Sequence, residues 1–141
     1  MIVVIDTNVF VSALLWPGGS SRAVLRAALR GRLHPLMGAS LYAEYEDLVA
    51  RDVLFTKSAI SASEREALLN AFLSVCRWTR VYFLWRPNLR DEADNHVVEL
   101  AVAGGAEAIV TKNTRDFVGG DLAFPGIRIA TPVEILKEIS E

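Results

Sequence analysis

Residues 2–10 read IVVIDTNVF. Ile2 to Ile5 form a continuous apolar, β-branched run with no alternation, the pattern of a short strand buried on both faces. TNVFVSALL, residues 7–15, then suits a helix, and Trp16-Pro17-Gly18-Gly19 ends it. A buried strand feeding directly into a helix is the first half of a βα unit, and Asp6 falls at its junction. A buried carboxylate is costly unless something pairs with it or coordinates it. Asp6, Thr7 and Asn8 are all helix-capping residue types, so a plain N-cap is one reading. A ligand role requires further carboxylates that converge on Asp6 from elsewhere in the chain.

Outward from this junction, the alternation of strands and helices continues. Ser20-Ser21 is placed to cap a helix running to about Leu29 and stopping at Gly31. LHPLMGAS holds a short strand near 35–38, and Ser40 is placed to cap the helix LYAEYEDLVA. In SASERE, Ser61 and Ser63 each precede a Glu by three residues, as in a capping box, and the helix continues to about residue 77. VYFLW, 81–85, reads as another buried strand; a helix follows over 92–103, closed by Gly104-Gly105. AEAIVT, 106–111, and IRIAT, 127–131, read as the last strands, and Thr131-Pro132-Val133-Glu134 starts the final helix. This pattern predicts an α/β fold, a central parallel sheet with helices on both faces. In such sheets ligands bind beyond the carboxyl ends of the strands. Asp6 ends the first strand, and Thr111, Lys112, Asn113 and Asp116 follow the strand AIVT.

The 141 residues predict one domain spanning 1–141. A net charge of −2 excludes a global basic field, so any nucleic-acid contact must come from a local patch or through bound cations. The single cysteine, Cys76, excludes an internal disulfide or a multi-cysteine zinc site and reads as apolar filler. With no cation before Arg22, and with Asp6 and Asn8 breaking the apolar run, the N-terminus does not read as a signal peptide. No segment has the length to span a membrane, and a cytoplasmic protein is expected.

Three further segments supply acids. On the helix SLYAEYEDL, Leu41, Tyr45 and Leu48 form the inward stripe; Glu44 and Glu46 flank it, Asp47 points away, and periodicity does not choose between the two flanking acids. In RDEADNHVVEL, Asp94 precedes Val97, Val98 and Ala101 by three, four and seven residues, which puts it on the apolar face of its helix. The helix dipole alone also favours an anion there. Asp91 is better placed as that helix's N-cap, and Glu99 is expected to face out. In TKNTRDF, Asn113 and Asp116 lie in a loop, where a turn role and a solvent ion pair with Arg115 or Lys112 are the ordinary readings. Oxygen donors gathered at one sheet edge suit Mg²⁺ or Mn²⁺. Such ions orient a water, lower its pKa and stabilise an in-line phosphorane.

IDTNVFVSALL, SLYAEYEDLV, DEADNHVVELAVAGGAEAIVTKNTRDF and TPVEIL, in this order, resemble the PIN domain family, and most closely its branch of VapC-like toxin components. The resemblance covers essentially the whole chain. It implies a three-layer α/β/α sandwich and a divalent-metal endoribonuclease, with a small antitoxin protein and a second copy of the chain as partners. It matches the family's first three acids to Asp6, Glu44 and Asp94. At the fourth position the chain departs from the family: Asn113 stands where Asp is frequent, so Asp116 is the carboxylate candidate, with Asn113 as a neutral ligand. The expected catalytic set is Asp6, Glu44, Asp94 and Asp116, with Thr7 and Thr111 hydrogen-bonding the carboxylates.

Arg22, Arg26 and Arg30 share one helix face and can follow a phosphate backbone, though a solvated face is the ordinary reading. Lys112 and Arg115 are expected beside the metal site. His34 and His96 read as structural. Haloacid-dehalogenase phosphatases need a second Asp where Asn8 stands, and response-regulator receivers need an acidic pair that is not evident. The remaining alternative is a PIN module that binds RNA or a protein without cleavage, which the near-complete acidic set argues against and Asn113 keeps open.

Overall fold

The computed structural model describes residues 1–81, 95–117 and 126–140, with the side chains of Asn95 and Asp116 outside that set. Within it lie β1 (Ile2–Ile5), α1 (Thr7–Leu15), α2 (Ser20–Leu29), β2 (His34–Met37), α3 (Ala39–Val49), α4 (Ala62–Val75) and β3 (Arg77–Trp78). After these come α5 (Asn95–Gly104), β4 (Ala108–Val110), β5 (Arg128–Ala130) and α6 (Pro132–Ser140). Short 3₁₀ turns occupy Asp52–Phe55 and Thr114–Phe117. None of the described helices is long and apolar enough to cross a membrane.

The strands form a five-stranded sheet in the order β3-β2-β1-β4-β5, and every pairing is parallel. β1 is central: Val3, Val4 and Ile5 are at most 3 % exposed although successive side chains point to opposite faces, so both faces are covered. Right-handed crossovers place α1 to α4 on one face and α5, which crosses back over the sheet, on the other. The chain steps from β1 outward to β2 and β3, then returns to the far side of β1 at β4. The strand order therefore reverses between β1 and β4, and the crevice at their carboxyl ends is the expected ligand position.

Packing fixes the elements around this crevice. Gly104 ends α5 against β2, where an added Cβ would lie 2.3 Å from Leu36 Cδ1, and Gly105 leaves the helix at φ +69°. Phe10, Tyr45 and Phe72 join α1, α3 and α4 through ring contacts 5.1–5.6 Å between centroids. The buried Tyr45 hydroxyl donates to the Ile5 carbonyl at 2.6 Å, which fixes α3 to the strand end beside Asp6. Tyr45→Phe keeps the ring packing and removes that donor. It is expected to cost about 1–2 kcal/mol, read as a lower urea midpoint at unchanged slope.

The element pattern holds with local corrections. Ser20 and Ser40 lie inside their helices; Gly19 and Gly38 are the N-caps, with no side-chain capping bond. Gly38 packs so closely that a Cβ would meet Leu100 and the Thr79 carbonyl at 3.2 and 3.3 Å, so any side chain at the capping position crowds these neighbours. Of the two candidate boxes before α4, Ser61 with Glu64 forms. Glu99, expected outside, is buried, because Val97 to Ala101 are all buried and α5 is enclosed on more than one side at this level. β3 forms at Arg77–Trp78, paired with Leu36 and Met37, ahead of the VYFLW run. Residues 82–85 of that run, like Asp91 and Asp94, lie outside the described residues.

Candidate metal centre

Asp6 leaves β1 as the N-cap of α1, so the plain capping reading is correct as far as it goes: Oδ1 accepts from the Thr7 N–H at 2.8 Å. That leaves Oδ2, which accepts from Thr111 Oγ1 at 2.9 Å across the crevice from the end of β4. The residue is 5 % exposed. Burial pushes its carboxyl pKa up, the Thr111 hydrogen bond opposes this, and the Glu44 charge raises it further.

Thr111 is fully buried and saturated. Its hydroxyl has one proton to donate and two acceptor sites. It donates to Asp6 and accepts from Asn8 Nδ2 and the Asn113 N–H, each at 3.1 Å. Asn8 is oriented in turn, because its Oδ1 accepts the Lys112 N–H at 3.1 Å. The Asn8 amide thus bridges the ends of β1 and β4 and holds the Thr111 proton toward the carboxylate.

Glu44 approaches from α3. The structure resolves the choice that periodicity left open: Glu44 is half-buried, whereas Glu46 and Asp47 are exposed, Glu46 accepting from the Tyr42 hydroxyl at 2.7 Å. Glu44 Oε1 accepts from Thr7 Oγ1 at 2.6 Å. Its Oε2 accepts from His96 Nε2 at 2.8 Å. The His96 hydrogen bond holds the Glu44 carboxyl below its usual range against the opposing effect of burial. Thr7 therefore links the two acids, its backbone on Asp6 and its hydroxyl on Glu44.

His96 and Asn8 are the residues that the sequence reading missed. His96 lies off the helix face of Asp94 and so read as structural. The usable signal was topological, since the first turn of a helix entering from the carboxyl edge faces that edge whichever way its apolar stripe points. For Asn8 the cue was the DTN triplet itself, in which a capping residue type can bond across to the next strand.

Among the other candidates, Lys112, Asn113 and Arg115 follow β4 at the crevice and are exposed. Asp116 sits on the 3₁₀ turn Thr114–Phe117, which buried Phe117 anchors. The arginine row is not brought to the crevice as a unit. Arg22 Nε donates to the Ala13 carbonyl at 2.8 Å, and Arg30 caps the far end of α2, at the amino-terminal edge of the sheet. Among the described residues, no three His, Cys, Asp or Glu side chains are grouped closely enough to hold a metal ion alone. Asp6 and Glu44 nevertheless offer hard oxygen donors, and the Glu44 charge adds to the cost of ionising the buried Asp6. A divalent cation would offset that cost, so the donor set suits one.

Comparison with known proteins gives a family and a fold. The family model described as PIN domain matches residues 2–115. No sequence among curated proteins matches the chain. Among solved structures, the crystal structure of VapBC2 from Rickettsia felis bound to a DNA fragment from their promoter is similar, at TM-score 0.59 and 17 % identity. The match covers 93 % of this chain and 98 % of that one, and it shows the same fold.

Proposed function

The chain belongs to the PIN domain family, and from that premise we propose that it is a Mg²⁺- or Mn²⁺-dependent endoribonuclease and the toxin of a toxin–antitoxin pair. The observation that carries this reading is the pair of carboxylates, Asp6 and Glu44, at the reversal of strand order, with Asp6 buried and its pKa raised. A bound Mg²⁺ or Mn²⁺ supplies Lewis acidity to a phosphoryl oxygen and acidifies a water. Asp6 and Glu44 would hold the ion, with Asp94, Asp116 and Asn113 as the further ligands that the family resemblance implies. Thr7 and Thr111 fix the carboxylate oxygens. Lys112 and Arg115 neutralise charge around the scissile phosphate. In the hydrolysis, water adds to phosphorus, one P–O ester bond breaks, and the leaving oxygen takes up a proton. The fold shared with a structure containing VapBC2 supports an antitoxin as the protein partner.

The chain's Asn113, at a position where the family often has Asp, favours a second reading, a module that binds RNA without cutting it. One experiment separates them: incubation of the purified protein with RNA, with Mn²⁺ and then with a chelator. Cleavage that starts with Mn²⁺ and falls to background with chelator supports the nuclease. Binding without cleavage supports the second reading, and neither activity overturns both. For the toxin role, growth arrest on induction alone, relieved by a co-expressed neighbouring gene, is expected; an unaffected host overturns it.

A further inference from the structure

An open groove of about 520 Å³ runs along α1 and is lined by Thr7 and Asn8, the two residues that follow Asp6. Its polar end carries Asn8, Ser12 and Lys112; its apolar end carries Leu15, Trp16 and Leu54. Asn8 and Ser12 are spaced four apart and share one face of α1; Trp16, the C-cap four residues further on, has its Cα about 12 Å along the axis from that of Asn8 at helical rise. The Trp16 backbone is fixed, its N–H donating to the Ser12 carbonyl at 2.9 Å and its carbonyl accepting from Gly19 at 3.0 Å. The ring itself is 63 % exposed. Lys112 Nζ rests on the Ser12 hydroxyl at 3.1 Å, a neutral acceptor, and Lys112 makes no ion pair among the described residues.

A surface that starts beside Asp6, passes the Lys112 ammonium and ends on an exposed aromatic ring matches one ligand chemistry in particular. It has the polarity of a nucleotide, phosphate at one end and base at the other. The combination of a cation with an aromatic platform is how single strands are bound without sequence readout. An apolar helix of a protein partner would gain nothing from Lys112 and would bury it. We propose that this groove seats the nucleotide adjacent to the scissile phosphate, its base stacked on Trp16 and its phosphate paired with Lys112, so that the substrate is single-stranded at that position. The inference rests on the ribonuclease reading and extends it to the substrate's path.

The test measures binding of a fluorescently labelled single-stranded oligoribonucleotide by anisotropy, in an Asp6→Asn background that does not cut it. Adding Trp16→Ala is expected to weaken binding about tenfold, and Trp16→Phe to recover most of that loss, because stacking needs a ring rather than an indole. Adding Lys112→Met is expected to lower the slope of log Kd on log salt by about 0.7, one phosphate contact on a single strand. Equal binding by the Trp16→Ala protein and its background overturns the groove assignment and leaves the ribonuclease reading standing. Loss of self-association in sedimentation without any change in RNA binding also overturns it, by making the groove an interface between copies. No RNA binding by either the parent or the Asp6→Asn background overturns the reading on which the inference rests.

Discussion

Asp6→Asn is expected to lower metal-dependent RNA cleavage by a factor on the order of a thousand and to leave the fold intact. The amide retains an oxygen that can accept the Thr7 N–H and so preserves the α1 cap. It loses the charge that a divalent ion requires. It also turns an N–H toward Thr111, whose hydroxyl already accepts two hydrogen bonds and gives its proton to Asp6. The effects on the metal-free fold oppose each other. Asp6 has a folded pKa raised above its ordinary 3.8, so its contribution to stability is present below that value and is lost as pH rises through the raised one. At neutral pH the metal-free parent therefore carries a buried charge that the variant does not, against one hydrogen bond that the variant lacks. Glu44 has the reverse sign, stabilising above its ordinary 4.5 and losing that contribution as pH falls through its lowered value. Thermal melts with and without Mn²⁺ are the check beside the rate. The parent gains stability from the ion in proportion to its binding, and the variant does not. A variant that cleaves as fast as the parent would remove Asp6 from the centre.

Thr111→Val is expected to weaken Mn²⁺ binding between about tenfold and a hundredfold and to destabilise the chain by about 2–3 kcal/mol. The substitution preserves shape at a fully buried strand end, so packing is not the cause. Deleting the hydroxyl leaves Asp6 Oδ2 without its close donor and Asn8 Nδ2 and the Asn113 N–H without their shared acceptor. Thr111→Ser, which keeps the oxygen, is expected to restore metal affinity. Titration calorimetry with Mn²⁺ reads the first effect and urea unfolding the second. Full affinity in the valine variant would show that the cap and the Asn8 amide orient Asp6 without Thr111.

The fold was legible because β-branched, uninterrupted runs such as Ile2–Ile5 and Ala108–Val110 exclude half-exposed strands, and parallel pairing follows from that. Asp6 and Thr111 could be placed at one edge from the same reasoning, since both follow such runs. Periodicity did not choose Glu44 over Glu46, because each borders the same stripe; only the resemblance singled out Glu44, which the fold half-buries while Glu46 stays exposed. His96 was misread and Glu99 misplaced for a related reason: a helical wheel assumes one buried face, and α5 is enclosed by more than the sheet. β3 escaped because Arg77 and Trp78 carry no apolar run and pair only by their backbone with β2.

The central position of β1 has a consequence for the order in which the molecule comes into being. Its first neighbour, β2, begins at His34, and the Thr7–Glu44 link spans 37 residues. The Asp6–Thr111 bond spans 105. Contacts so distant along the chain close slowly, and parallel pairing is among the slowest to assemble. During synthesis, 105 residues separate the making of the first carboxylate from the making of its hydroxyl partner. Until Thr111 has been made, Asp6 lacks the hydroxyl that fixes its Oδ2, and the pairing of β1 with β4 is the step that brings the two together.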